Sequence, residues 1–158
     1  MELRTFNAMA PLHVMHYQIS SIEEVADWSL FRRQLKESKK MGIDGISVDV
    51  WWGMVEKDGD NIFHWEYYQK IFSEIISNGL EIIPILSFHS FDPRHNSAFR
   101  APIPNWVWKY LAEKSGLNEI DLKYISEEKG KDDPLLYSDE FVSLWADEWV
   151  MPQYSEFM

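Results

Sequence analysis

Short apolar stretches that read as strands alternate along this chain with longer stretches of helical period, at a nearly constant spacing. Leu3 to Leu12 is the first strand candidate, Gly45 to Trp52 (GISVDVWW) the second and Leu80 to Phe88 (LEIIPILSF) the third. The second and third are almost continuously apolar, as strands buried on both faces of a parallel sheet are. Trp28 to Lys40 predicts a helix with Leu30, Phe31 and Leu35 on one face, Asp27 as N-cap and Gly42 as the stop. Trp65 to Asn78 predicts a second, with Tyr68, Ile71, Phe72, Ile75 and Ile76 inward and Gly79 closing it. Strands starting roughly 35–40 residues apart match one β/α unit each. Such a chain folds as a parallel sheet with right-handed crossovers.

The pattern loosens after Phe88. His89 to Ala101 reads as a polar loop, and Pro104 and Asn105 open a short helix through Trp106, Val107 and Leu111. Glu127 to Pro134 (EEKGKDDP) reads as a charged turn. Asp139 to Val150 predicts a last helix, with Phe141, Leu144, Trp145 and Trp149 near one face and Pro152 ending it. No linker or low-complexity tract divides residues 1–158, so the expectation is one domain or one piece of one.

Two architectures suit strand–helix alternation: an open doubly wound sheet and a closed barrel. The open sheet that binds nucleotides carries a glycine-rich turn after its first strand. Here that position reads APLHVMHYQISS, without a glycine. The barrel is favoured.

Composition narrows the partners. The net charge is −11, and residues 113–148 hold eleven acids against four lysines. Such a surface repels phosphate backbones and anionic lipid headgroups, so neither nucleic acid nor a membrane surface is an expected partner. An uncharged ligand is indifferent to it. There is no cysteine, which excludes disulfides and thiolate metal sites. The five histidines are scattered, so no metal and no cofactor is expected. No apolar run approaches the ~18 residues of a membrane span, and the N-terminus lacks the features of a secretory signal. The chain reads as soluble, with localisation otherwise open.

In a barrel the active face lies at the carboxyl ends of the strands. Met9-Ala10-Pro11-Leu12 after the first strand is unreactive. Asp49 interrupts the apolar second strand, and a buried carboxylate costs several kcal/mol unless paired or functional. It either caps loop amides or binds a ligand flanked by Trp51 and Trp52. Glu56 reads as a loop charge in solvent. His89 ends the third strand, either as a structural group or as a ligand contact.

These residues also carry a resemblance. Asp49-Val50-Trp51-Trp52-Gly53-Met54-Val55-Glu56 resembles the strand-two signature of the β-amylase family. Ser87-Phe88-His89, with Pro102-Ile103-Pro104 and Trp106-Val107-Trp108 beyond it, is similar to that family's strand-three region. Met9-Ala10-Pro11-Leu12 resembles the first strand of its bacterial members. The resemblance implies the first three β/α units of a (β/α)₈ barrel, with the barrel incomplete in this chain.

It further implies a glycosidase that releases maltose from α-1,4-glucans with inversion. Asp49 matches the aspartate that holds the terminal glucose hydroxyls, and His89 matches a histidine contacting substrate at the next strand end. Trp51 and Trp52 are expected beside the sugar. Two departures follow from the same resemblance. The family's glycine-rich lid places an aspartate eight residues after the histidine. Here that position is Ser97, and Pro93, Arg94 and His95 occupy a stretch where the family has glycines. Asp92 is the nearest candidate substitute. The family's two catalytic glutamates lie on later strands, and no fourth strand of that kind precedes Met158.

No catalytic residue is therefore expected within the chain, only weak binding of maltose or an α-1,4-glucan. Exposed strand edges imply homo-oligomerisation or docking to a complementary fragment. The alternatives are a module repurposed to bind a glucan or a protein, and another barrel glycosidase with a convergent strand-two motif.

Overall fold

The computed structural model describes residues 5–11, 28–90, 101–125, 137–142 and 147–158. They fall into two compact units. Of the described residues, the first holds 5–11, 28–50 and 65–85, and the second 51–64, 86–90, 101–125, 137–142 and 147–158.

Three strands make one sheet: β1 (Asn7–Met9), β2 (Gly45–Trp51) and β3 (Glu81–Ser87), in the order β1-β2-β3. They are parallel. β1 pairs with β2 in the register Asn7 to Gly45, Ala8 to Ile46 and Met9 to Ser47. The entry is tight: a Cβ on Gly45 would lie 2.8 Å from Asn7 Oδ1 and 3.3 Å from the Glu81 carbonyl. The parallel α/β arrangement expected from the alternation is present.

Within the first unit, helices α1 (Trp28–Lys40) and α3 (Glu66–Ser77) supply the crossovers. Phe31 and Leu35 of α1 and Tyr68, Ile71 and Ile75 of α3 are buried with Ile46, Val48 and Val50 of β2. Two helix positions expected inward are not: Leu30 is 37% exposed and Ile76 63%. Gly42 and Gly79 end the helices with φ of 84° and 69°, the left-handed conformation their stop role requires. Asp27 lies outside the described residues.

One ion-pair cluster ties α1 to α3. Arg32 donates to Glu74 through Nε at 2.8 Å and Nη2 at 2.6 Å, and Lys70 Nζ adds a contact at 2.7 Å. These bonds, with desolvation opposing, hold the Glu74 carboxyl well below its ordinary 4.5, at about 2. A carboxyl with a depressed folded-state pKa stabilises the fold above its unfolded pKa, and that stability is lost as pH falls towards about 2. The cations are 44% and 46% exposed, so solvent screening reduces the effect. Glu74→Gln is expected to cost about 1–2 kcal/mol at pH 7 and much less at pH 3, read from urea midpoints. An equal cost at both pH values would remove the ion pair from the account.

The second unit begins where β2 turns directly into a one-turn helix, α2 (Trp52–Val55), so the strand is one residue shorter than expected. Helix α4 (Asn105–Ser115) is longer than expected and ends at Gly116, φ 72°. After a 3₁₀ turn (Glu119–Leu122), β4 (Lys123–Ile125) pairs antiparallel with β5 (Tyr137–Val142). Here the sequence expectation fails. Asp139 to Val142 is strand, not the start of a helix, and α5 runs later, over Asp147–Phe157.

The helical spacing of Phe141, Leu144, Trp145 and Trp149 misled because pairing with β4 outweighs a local period. Pro152 lies inside α5 rather than ending it. It withdraws one N–H, and the carbonyl four residues back belongs to exposed Glu148, where water can satisfy it. The charged turn Glu127–Pro134 and most of the loop after His89 lie outside the described residues. Among the described residues, no helix is long and apolar enough to cross a membrane, and no group of three His, Asp or Glu is placed to hold a metal.

Candidate functional site

Asp49 sits two residues before the end of β2, half-buried between Val48 and Val50, which are 3% and 1% exposed. Strand alternation points it to the face opposite those two side chains. It has interactions of its own within the fold.

The residues that follow Asp49 fold into the aromatic core of the second unit. Trp51 is 3% exposed and packs edge-on to the His89 ring, with centroids 5.2 Å apart. Trp52 is 1% exposed and is enclosed by the rings of Phe88 at 5.9 Å, Trp106 at 5.8 Å and Tyr154 at 5.2 Å. Phe88 itself stacks against Tyr154 at 4.3 Å and meets Phe157 at 5.5 Å. Both tryptophans are thus packing groups among the described residues. His89 is exposed beside the Trp51 edge.

Glu56 corrects the sequence reading most sharply. Expected in solvent, it is 1% exposed. Its carboxylate accepts from Trp52 Nε1 at 2.6 Å and from the Asn61 backbone N–H at 2.6 Å. Trp106 Nε1 donates to its backbone carbonyl at 2.7 Å. Burial raises the Glu56 pKa above 4.5, the two bonds to its carboxylate oppose that rise, and the charges of Asp60 and Glu156 add to it. Asn61 adopts φ 59° to present its amide, a left-handed conformation asparagine tolerates better than most residues. The signal was legible in outline: Trp52 and Glu56 stand four residues apart, the spacing at which side chains meet on one helical face.

Gly53 explains why the two strings of the signature belong together. A Cβ there would lie 1.6 Å from the Pro102 carbonyl oxygen. Ala101, Ile103 and Pro104 are buried beside that contact, with Val107 and Trp108 of α4. Asp92 and Ser97, the candidate lid positions, lie outside the described residues.

The stretch that holds these residues lies within what the chain shares with known proteins. The model for glycosyl hydrolase family 14 matches residues 14–158. A thermophilic β-amylase of Thermoanaerobacterium thermosulfurigenes is 32% identical over 151 residues, covering 96% of this chain and 24% of that protein. β-Amylase 5 of Arabidopsis thaliana is 32% identical over 152 residues, covering 94% of this chain and 30% of its own. Among solved structures, the catalytic domain of a Paenibacillus polymyxa β-amylase superposes with a TM-score of 0.71 at 28% identity, over 97% of this chain and 32% of that one. The chain spans about a quarter to a third of the length of these relatives. The match of the family model through residues 14–158, with these relatives beside it, places the chain in glycosyl hydrolase family 14, the family of the β-amylases.

Proposed function

We propose that these residues form the first three β/α units of a β-amylase-like barrel and supply part of its binding surface for α-1,4-glucan. The observation that carries this reading is the family match through nearly the whole chain, with Asp49 kept near the carboxyl end of a buried parallel strand. Asp49 is the group for vicinal sugar hydroxyls, because an ionised carboxylate accepts two hydrogen bonds from them. His89, exposed at the end of β3, is a second contact that either donates or accepts. Trp51 and Trp52 serve the sugar indirectly, by fixing His89 and the chain after Asp49 through packing.

Inversion requires two carboxyl groups roughly 6.5–9.5 Å apart with water between them, and the resemblance assigns both to later strands. The isolated chain is expected to release no maltose from soluble starch. Saccharifying activity that survives Asp49→Asn would contradict this.

Weak binding is the positive test. A charge-assisted hydrogen bond contributes about 1.5–3 kcal/mol, and a partial pocket leaves the sugar wet on one side. Maltose affinity is therefore expected in the millimolar range or weaker, near −4 kcal/mol. NMR titration of the labelled chain is expected to shift resonances near Asp49 and His89, and Asp49→Ala to abolish those shifts in a folded protein. Absence of shifts at high maltose, together with marked destabilisation by Asp49→Ala, assigns Asp49 to capping loop amides instead.

A further inference from the structure

Helix α4 carries an aromatic pair at its margin with solvent. Val107, Trp108 and Leu111 are its buried face, and Asn105, Lys109, Glu113 and Lys114 are exposed. Trp106 and Tyr110 lie between these two sets, half-buried and four residues apart, so they share one helical face. A half-buried ring keeps part of its apolar surface in water, where a ligand can cover it. The two ring centroids are 6.3 Å apart and the ring planes meet at 71°.

Both rings are pre-positioned. The Trp106 indole N–H donates to the Glu56 carbonyl at 2.7 Å, which anchors one edge of the indole. Lys114 Nζ stands over the Tyr110 ring, 5.5 Å from its centroid. An exposed cation–π contact is weak, so the ammonium can swing aside and donate to an incoming oxygen. Rings already in place spare a ligand the cost of ordering them. Around them, Asn105, Lys109 and Glu113 supply donors and acceptors of both signs. Apolar rings bordered by mixed polar groups suit a sugar, whose C–H faces are apolar and whose rim is hydroxyl.

The angle between the rings discriminates among glucans. A β-1,4-linked chain is a flat ribbon whose pyranose faces stay nearly parallel, which suits coplanar rings. An α-1,4 linkage leaves one sugar axially, so the chain curls and successive pyranoses tilt. Rings at 71° make a corner that follows a curling chain. Such a ligand is uncharged, so the net charge of −11 does not oppose its approach.

We propose that Trp106 and Tyr110 form a surface site for linear α-1,4-glucan. The choice of an α-glucan rests on family membership as well as on the ring angle. The site uses neither Asp49 nor His89, so it and the reading above succeed or fail separately.

NMR titration of the labelled 158-residue chain with maltoheptaose is the test, with cellohexaose as the flat counterpart. Maltoheptaose is expected to shift the Trp106 indole N–H and the backbone amides of α4, and to do so equally in Asp49→Asn. Cellohexaose is expected to leave them in place. Tyr110→Ala is expected to weaken binding at α4 at least about fivefold, whereas Tyr110→Phe, which keeps the ring, stays within about twofold. An unmoved Trp52 indole resonance in Tyr110→Ala verifies that the aromatic core is intact, and the unaltered chain decides the matter without that variant. No response of α4 to maltoheptaose, an equal response to cellohexaose, or α4 shifts undiminished in a folded Tyr110→Ala would each overturn the proposal.

Discussion

Replacing Gly53 with alanine is expected to cost about 3 kcal/mol or more, enough to abolish folding of a marginally stable domain. The new Cβ would lie 1.6 Å from the Pro102 carbonyl oxygen and 2.8 Å from its carbonyl carbon. Both atoms are backbone, so no rotamer change relieves the overlap. Pro102 is itself exposed, but its backbone is tethered on either side by Ala101 and Ile103, which are 1% and 2% exposed. Overpacking a rigid core costs about 1–3 kcal/mol, and more when backbone must move by an ångström. Gly59→Ala is the control, since its Cβ would meet only the Ile62 Cδ1 at 3.1 Å, the far end of a side chain that is half exposed. That change is expected to cost under about 1 kcal/mol. Urea unfolding followed by tryptophan fluorescence compares the two, and similar midpoints would mean that the close approach at Gly53 does not constrain the fold.

The parts of this molecule that were legible in sequence are those whose pattern is local. Strands β2 and β3 announced themselves as apolar runs of strand length, and α1 and α3 through spacing and glycine stops. What escaped was decided by partners distant in the chain. Asp139–Val150 carries a helix-like spacing, but its first residues lie in β5 and pair with β4, a partner that no local period reveals. Glu56 looked like an ordinary loop charge because its burial depends on Trp106, fifty residues later, and on a turn closed by Asn61. Trp51 and Trp52 looked like sugar platforms because tryptophan serves equally as core and as wall. The packing of Trp52 against Phe88, Tyr154 and Trp106 comes from partners distant in the chain. Asp49 stood out for a sound reason, a carboxylate in an apolar strand, and its half-burial agrees with either role the sequence left open.

Trp52→Phe is expected to destabilise the chain much more at pH 8 than at pH 4. Phenylalanine keeps a ring inside the aromatic cage but loses volume, at a cost of about 1–2 kcal/mol that does not depend on pH. It also removes the indole N–H that donates to Glu56 at 2.6 Å. A charge-assisted bond of that kind is worth about 1.5–3 kcal/mol, but only while the carboxylate is ionised. Burial already holds the Glu56 pKa above 4.5, so the stability linked to its proton is present below that value and lost as pH rises through the raised one. Removing a bond that favours the charged form raises the folded-state pKa further, which makes the penalty grow with pH. The total is expected near 3–4 kcal/mol at pH 8 and near 1–2 kcal/mol at pH 4. Glu56→Gln in the same background is expected to flatten that dependence, because an amide does not titrate. If Trp52→Phe costs the same at both pH values, the bond to Glu56 contributes nothing beyond packing, and the buried carboxylate is held by the Asn61 amide alone.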